Sequence, residues 1–213
     1  MAIIGLSSPF AAKYNISSGV YYTEGRTMGK AVEYSLDLDR ADDVALYDDG
    51  AQVSIDPGII QSGTLTVETT GLSEEFSAWL LNLITQTAFV AEGSEAEFSV
   101  TEYLYGDEQP LTVGIGLIET HQIDNVQKYK TIIFSKCLPI IPNDAATTRG
   151  ERIDWQTPKI EFIVERSDAS DHTWKREAWH QTQYQAEAYL AYMLGDTDRN
   201  RVGYGQVGYM KVV

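Results

Sequence analysis

The stretch AVEYSLDLD, from Ala31 to Asp39, alternates apolar and polar side chains with a period of two residues. Successive side chains of a strand point to opposite faces of a sheet, so this pattern predicts a half-buried β-strand. One face is apolar and the other is polar and mostly acidic. The apolar residues are Val32, Tyr34, Leu36 and Leu38, and the polar residues are Glu33, Ser35, Asp37 and Asp39.

Six further stretches have strand-like composition and are bounded by Gly, Pro, Asn or Asp. They are GTLTVETT (63–70), EFSVTEYLY (97–105), LTVGIGLIETHQI (111–123), KYKTIIFSKCL (128–138), KIEFIVERS (159–167) and HTWKREAW (172–179). Several such strands in series are typical of a sandwich or barrel. The sequence therefore predicts a mainly β fold, an antiparallel β-sandwich or barrel-like domain.

Two stretches follow a helical period instead. In LSEEFSAWLLNLI (72–84), Ser73 is a candidate N-cap, and an apolar stripe follows at helical spacing. In QYQAEAYLAYMLG (183–195), good helix formers end at Gly195, where a left-handed cap would terminate a helix. We expect one helix flanking the sandwich and one C-terminal helix. The predicted stripe consists of Phe76, Trp79, Leu80, Leu83 and Ile84.

Length and composition limit the classes of protein. A chain of 213 residues can form a single domain, and we place that domain at residues 1–195, followed by a C-terminal arm at 196–213. The formal charge of -15 opposes DNA phosphate and argues against a sequence-reading DNA binder. The single cysteine, Cys137, excludes an internal disulfide and a thiolate metal cluster within one chain. The N-terminus lacks a basic leader and no segment reaches membrane-span length, so we expect a soluble, unexported protein with no membrane contact.

Motifs that would indicate a cofactor site, a metal site or a catalytic residue are weak in this sequence. Residues 203–208 match G-x-G-x-x-G, but only five residues follow, too few for the helix that a dinucleotide site requires. The histidines His121, His172 and His180 share no metal-ligand spacing and are interpreted as surface or strand-face residues. No G-x-S-x-G elbow is present. We therefore predict no catalytic residue, no cofactor and no metal site, and hence no enzyme.

Acidic residues are concentrated between Glu33 and Asp56, where eight acids accompany one base, Arg40. The doublets Asp42-Asp43 and Asp48-Asp49 lack the spacing of an EF-hand loop. Calcium binding there, or sugar stacking by the many aromatic residues, remains open as a second hypothesis. In that case the chain would be a monomeric β-sandwich binding module for carbohydrate or calcium.

Two blocks of the sequence resemble the major tail tube proteins of long, flexible-tailed bacteriophages, the siphophage major tail protein family. The first is residues 41–72, with Leu-Tyr-Asp-Asp in an acidic loop before a Gly-Thr-Leu-Thr strand, followed by the Trp79 helix. The second, residues 128–166, contains a Thr-x-Gly-Glu-x-Ile-x-aromatic-Gln-Thr-Pro signature. Its residues are Thr148, Gly150, Glu151, Ile153, Trp155, Gln156, Thr157 and Pro158.

The resemblance extends to Gly195 and implies a structural virion protein that is not an enzyme. Six copies would close into a ring, and rings would stack into the tail tube through which DNA passes without specific binding. Partners would be the chain itself and, by resemblance, tail terminator, distal tail and tape-measure proteins. The location implied is the tail of a virion made in the cytoplasm of a bacterial host.

Residues 41–60 are expected to form a loop that packs on a neighbouring subunit, as the resemblance implies. Acidic side chains would keep this loop solvated and mobile in a free subunit, whereas apolar side chains among them offer anchors that a partner can bury. Burial of a few anchors, at roughly 25 cal/mol per Å², would offset the cost of ordering. The residues assigned to this contact are Asp42, Asp43, Val44, Leu46, Tyr47, Asp48, Asp49, Val53 and Ile55.

Overall fold

The computed structural model describes residues 2–17, 19–42, 44–48, 51–56, 60–92, 95–141 and 158–195. Within them the chain forms twelve strands and two helices. The strands are β1 Ala2–Ile16, β2 Val20–Thr27, β3 Ala31–Arg40, β4 Val44–Asp48, β5 Ala51–Asp56, β6 Ile60–Thr69, β7 Ile84–Glu92, β8 Glu95–Leu104, β9 Val113–Ile123, β10 Val126–Pro139, β11 Lys159–Glu165 and β12 Lys175–His180. The helices are α1 Glu74–Leu80 and α2 Gln183–Met193.

Eight strands form one antiparallel sheet in the order β2-β1-β9-β10-β11-β6-β3, with β12 also paired to β10. Strand β10 joins the two halves of this sheet. Along one edge its residues 126–137 pair with β9; along the other, residues 129–134 pair with β12 and residues 136–139 with β11. The β9 ladder shifts register between Phe134 and Cys137, and such irregularities bend a strand.

The two halves of the bent sheet face each other across the larger hydrophobic core. Strands β9 and β10 contribute Leu117 and Phe134, and β6 and β11 contribute Leu65 and Phe162. All four side chains are 0 % exposed. Burial of each side chain of this size contributes about 1.5–3 kcal/mol to folding stability. The shared core therefore stabilises the packing of the two halves as one sandwich. The predicted mainly β, antiparallel sandwich with flanking helices is confirmed.

Helix α2 covers the outward face of β9 and β10. Leu190 and Leu194 pack there beside Ile118 and Ile133 in a second, smaller core. Gly116 of β9 permits this close approach, because a Cβ atom at that position would collide with Leu190 Cδ1 and lie 2.9 Å from Leu194 Cδ1. The helix can therefore pack closely on the outward face of β9, because β9 has no side chain at Gly116.

Each of the seven predicted strands overlaps a strand of the structure and both predicted helices are present, but β1, β2, β4, β5 and β7 were not predicted. Ser73 caps α1 and Gly195 follows α2 with a φ of 64°, both as expected. Helix α1, however, ends at Leu80, because Asn82 adopts a left-handed φ of 55°. The predicted apolar stripe is therefore wrong beyond that point, and Ile84 begins strand β7 instead.

A tight turn connects β9 to β10. Asp124 and Asn125, with φ values of 49° and 61°, are its two central residues. Asn and Asp tolerate this left-handed conformation better than other non-glycine residues, and two such residues in succession match the twist of a β-hairpin. The turn fixes the register in which Ile123 lies opposite Val126.

We predict that Gly116→Ala lowers the free energy of unfolding by about 1–3 kcal/mol, because the added methyl group overpacks the interface with α2. Urea denaturation of the purified protein measures the change. Gly5→Ala is the matched control, since a Cβ atom there would meet Thr120 at an ordinary 3.8 Å. Equal stability of the two variants would contradict the close packing of α2.

Candidate functional site

The outer face of β3, β6 and β11 is acidic and has no helix packed on it in the described part of the chain. Their inward residues enter the core, so the alternate residues face outward. The outward acids are Glu33, Asp37, Asp39, Glu68, Glu161 and Glu165. Threonines at positions 64 and 66 lie between them. This surface, named here the acidic face, is the polar side predicted from the alternation in β3.

Few bases neutralise the acidic face. Lys159 Nζ lies 3.0 Å from Glu68 Oε2, and its pKa is raised by that hydrogen bond and charge. Lys136 of β10 lies 3.1 Å from Glu165 Oε2. The remaining four acids form no salt bridge with any described residue. The face therefore presents a net negative, solvated surface to whatever passes or packs beside it.

Two hairpins lie outside the eight-stranded sheet. Strands β4 and β5 form one two-stranded sheet, and β7 and β8 form another. Two-stranded hairpins are marginally stable in water unless something packs against them. On β7 and β8, Ile84 lies opposite Leu104 and both are exposed, at 50 % and 39 %; Val100, further along β8, is 36 % exposed. The β7–β8 hairpin thus carries apolar surface that the described subunit does not cover.

A buried polar network occupies one end of the sandwich. Glu119 of β9 accepts hydrogen bonds from the Tyr34 hydroxyl at 2.6 Å, from Lys130 Nζ at 2.7 Å and from His121 Nε2 at 2.7 Å. Lys130 also lies 3.7 Å from Glu177. Glu119 and His121 share the inward parity of the apolar β9 residues, and both are nearly inaccessible, at 2 % and 3 % exposed. The network therefore joins β3, β9, β10 and β12 at the end of the core.

The charge of Glu119 is stabilised by its donors. Burial opposes its ionisation, but hydrogen bonds from Lys130, Tyr34 and His121 outweigh burial and hold the pKa of Glu119 below its usual 4.5. Burial and the bond to Glu119 raise the pKa of Tyr34. A carboxylate stabilised in this way is a weak base, so the arrangement suits stability better than proton transfer.

An aromatic cleft of about 410 Å³ lies between α2 and β2. Tyr21 and Tyr192 border it and are 44 % and 53 % exposed, so their rings can stack on an apolar sugar face. Tyr22 also lines the cleft and donates to the Ser135 carbonyl at 2.8 Å. Burial and the nearby Tyr14 raise the pKa of Tyr22 to about 12, so its hydroxyl stays protonated.

Only some of the site residues predicted from the sequence lie within the described residues. Asp43, Asp49 and the signature residues Thr148 to Thr157 lie outside the described residues, as does the arm at 196–213. Pro158 is described: it directly precedes β11, and its carbonyl accepts from the Thr69 amide at 3.1 Å. The remaining loop residues, apart from Asp42, fall in β4 and β5, so the segment expected to be a loop contains a paired hairpin.

Sequence reasoning missed the Glu119 network. His121 was expected on the surface or on a strand face; it lies on a strand face, but on the buried one, with its ring 4.9 Å from that of Trp179. His172 and His180 lie elsewhere: His172 Nδ1 contacts the Ser167 carbonyl at 3.1 Å, and the His180 ring packs on Tyr189. The sequence did contain a signal. Glu119 and Lys130 each stand at a core-facing position of the alternating pattern, on two strands joined by a short turn.

Within the described residues, no three His, Cys, Asp or Glu side chains are placed to share a metal ion. Among the same residues, neither helix has the length and apolar character needed to cross a bilayer. Burial raises the pKa of Cys137, which keeps its thiol protonated and unreactive. No protein-family model and no curated protein matches the sequence.

We predict that Glu119→Gln destabilises the fold by about 3 kcal/mol at neutral pH, because it leaves Lys130 without its closest anion in a buried setting. The depressed pKa of Glu119 means that its charge contributes stability above about pH 4.5, which is lost as pH falls through the folded value. The variant should therefore lose less stability on acidification. Urea denaturation at pH 7 and pH 4 measures both effects.

Glu161→Gln is the matched control, because Glu161 is exposed on the acidic face and has no salt bridge among the described residues. Its stability should stay within about 0.5 kcal/mol of the unmodified protein. If both variants behaved alike at both pH values, the network would not contribute to the stability of the sandwich.

Proposed function

We propose that this chain is a structural virion protein whose copies close into hexameric rings, stacked as the tail tube of a long-tailed bacteriophage. The observation that carries the proposal is the pair of hairpins outside the main sheet. Hairpins of this kind gain stability when a neighbour covers them, and the exposed Ile84, Val100 and Leu104 supply apolar area for such a neighbour. Self-assembly would provide that cover at every copy.

The acidic face suits the wall of a DNA conduit. Each contact between a base and a phosphate would add affinity and slow the passage of DNA. Four acids without a salt bridge among the described residues would instead repel the polyanion, over a range of about 8 Å at physiological salt. We place this face toward the lumen, while α2 covers the opposite outer face of the sandwich.

The open edges of the main sheet support ring closure. Strands β2 and β3 are its terminal strands and are 8 and 10 residues long. An edge strand presents unpaired backbone groups, which a strand of an adjacent copy can satisfy. Ring closure would thus remove two exposed edges per subunit.

The proposal includes no catalysis and no cofactor. By the same resemblance, the tube would meet tail terminator and distal tail proteins at its ends and a tape-measure protein inside. Its location would be the virion tail, after synthesis in the cytoplasm of the bacterial host.

A second candidate function is carbohydrate binding by a monomer. The cleft that Tyr21 and Tyr192 border supports it, since exposed tyrosine rings are suited to sugar faces. A monodisperse monomer that binds glycans, and loses that binding in Tyr192→Ala, would favour this alternative over the tube.

The decisive experiment is electron microscopy of the purified protein, in which we expect rings or tubes. Deleting residues 43–56 should leave a folded, soluble monomer that forms no tubes, because the hairpin would no longer reach a neighbouring copy. Tyr47→Ala should weaken stacking more than Asp48→Asn, since an aromatic ring offers more apolar area to bury than a carboxylate does, and surface ion pairs contribute little. Normal tubes from the deletion variant would exclude residues 41–60 as an inter-subunit contact.

We also predict that Asp37→Lys slows DNA ejection and that the slowing disappears at high salt. Every subunit carries the substitution, so one reversal places a ring of bases along the lumen. Time-resolved ejection from particles, measured at low and high ionic strength, reports the effect. Asp107→Lys makes the same charge change at an exposed position outside the acidic face. If both variants ejected DNA at the same rate in low salt, the acidic face would not line the lumen.

A further inference from the structure

The inward face of β9 and β10 continues past the end of the core. From the opposing half, the Tyr34 hydroxyl reaches this face at Glu119. Beyond it, strand pairing places further residues on the same face: Ile3 opposite His121, and Val126 opposite Ile123. Trp179 of β12 lies opposite Lys130 and so shares this face. We name this surface the overhang patch, and its residues are Ile3, Ile123, Val126, Lys128 and Trp179.

The overhang patch is apolar and open to solvent. Ile3 is 62 % exposed, Val126 54 % and Trp179 48 %. No described segment of the same subunit covers these three side chains. Grouped exposure of large apolar side chains marks an interaction surface more often than isolated exposure does.

The Trp179 side chain of the patch is fixed in place before any partner binds. The Trp179 ring packs on the buried His121 ring, with the centroids 4.9 Å apart, and His121 is fixed in turn by Glu119. An aromatic side chain held in this way loses little conformational entropy on binding, as is typical of interface hot spots. The polar network therefore gives the patch a rigid base.

The charge of the patch identifies the kind of partner. Lys128 lies opposite His121 on this face and forms no salt bridge with any described residue. Lys130, by contrast, is already engaged by Glu119 and Glu177. An apolar surface with a lysine that meets no acid among the described residues is complementary to a segment that combines apolar and acidic residues.

The β4–β5 hairpin has that composition. Residues 42–56 contain five acids and no base, with apolar residues between them. We propose that the overhang patch of one subunit receives the β4–β5 hairpin of a second copy of this chain. This inference rests on the self-assembly proposed above and adds the surface that the hairpin occupies. It also gives a role to Lys128, which lies among exposed apolar side chains and has no salt bridge within the described part of a chain whose charge is -15.

Cross-linking tests the contact directly. The only native cysteine, Cys137, is fully buried, so the unmodified protein gives little background. One copy carries Val126→Cys and the other Leu46→Cys, and a short bismaleimide is added under assembly conditions. We expect a cross-linked dimer on a denaturing gel. Gln127→Cys is the matched control: it is adjacent and exposed but lies on the opposite face of β10, and it should not link.

Three cross-linking results would overturn the inference. These are equal linking of Val126→Cys and Gln127→Cys, linking of Val126→Cys to a Val100→Cys copy in place of Leu46→Cys, and linking of Val126→Cys to itself alone. The first removes face specificity, the second assigns the patch to the β7–β8 hairpin, and the third makes it a symmetric contact.

An assembly measurement separates this inference from the proposed function. Val126→Glu should raise the protein concentration needed for assembly by about tenfold or more, because it sets an acid against an acidic hairpin. Gln127→Glu adds the same charge on the other face and should have little effect. Both variants should retain the melting temperature of the unmodified protein, since both sites are exposed. Ile3→Glu provides a second site on the patch.

If the unmodified chain formed tubes but Val126→Glu and Ile3→Glu assembled normally, the patch assignment would be wrong and the tube proposal would stand. If the unmodified chain stayed monomeric at every concentration, both would fall.

Discussion

The architecture depends on the pairing of a single strand, β10, with three others. Backbone hydrogen bonds along its two edges hold β9 on one side and β12 followed by β11 on the other. The change of partner beside the irregularity at Phe134 and Cys137 turns one sheet into two facing halves. The core, the site of α2 and the position of the acidic face all follow from that bend.

Alternation along the strands gives each half of the sandwich a different exterior. On β9, a short-side-chain outward face that includes Gly116 accepts α2. On β3, the outward face carries Asp37 and Asp39, and no helix of the described chain packs on it. One exterior is thus completed by its own subunit, whereas the other faces solvent. The two exteriors thus differ in charge and in helix cover, as the proposed tube of like subunits would require of its inner and outer walls.

Much of the fold was predictable from period-two patterns, as β3 shows, and the helix ends followed from Ser73 and Gly195. Strand β1 escaped prediction because register shifts near Ile3 and between Ser7 and Phe10 break its alternation. The candidate site was harder to predict from the sequence. The acidic side of β3 was visible in the sequence, but its companions on β6 and β11 depend on sheet order, which no local pattern encodes.

The Glu119 network escaped for a related reason: its members belong to strands far apart in the sequence, and only tertiary pairing brings them together. Charged residues at apolar parity on β9 and β10 were a usable signal. Such residues are costly in a core unless they meet each other. Two of them on adjacent strands of one hairpin therefore indicate mutual pairing. Tyr34, the donor from β3, could not have been inferred from its own strand.

The long-range pairing of β1 sets the order in which the chain acquires structure during synthesis. The two-residue turn at Asp124 and Asn125 lets β9 and β10 meet rapidly, whereas Ala2 must find Gln122, far along the chain. On the ribosome the first part of β1, residues 2–7, therefore emerges long before β9 exists, whereas β1 from Phe10 onward can pair with β2 as soon as that strand emerges. Until β9 emerges, the apolar residues of that first part, Ile3 among them, stay accessible to other nascent chains. Fast translation through β9, or a chaperone that covers the first part of β1, would shorten this exposure.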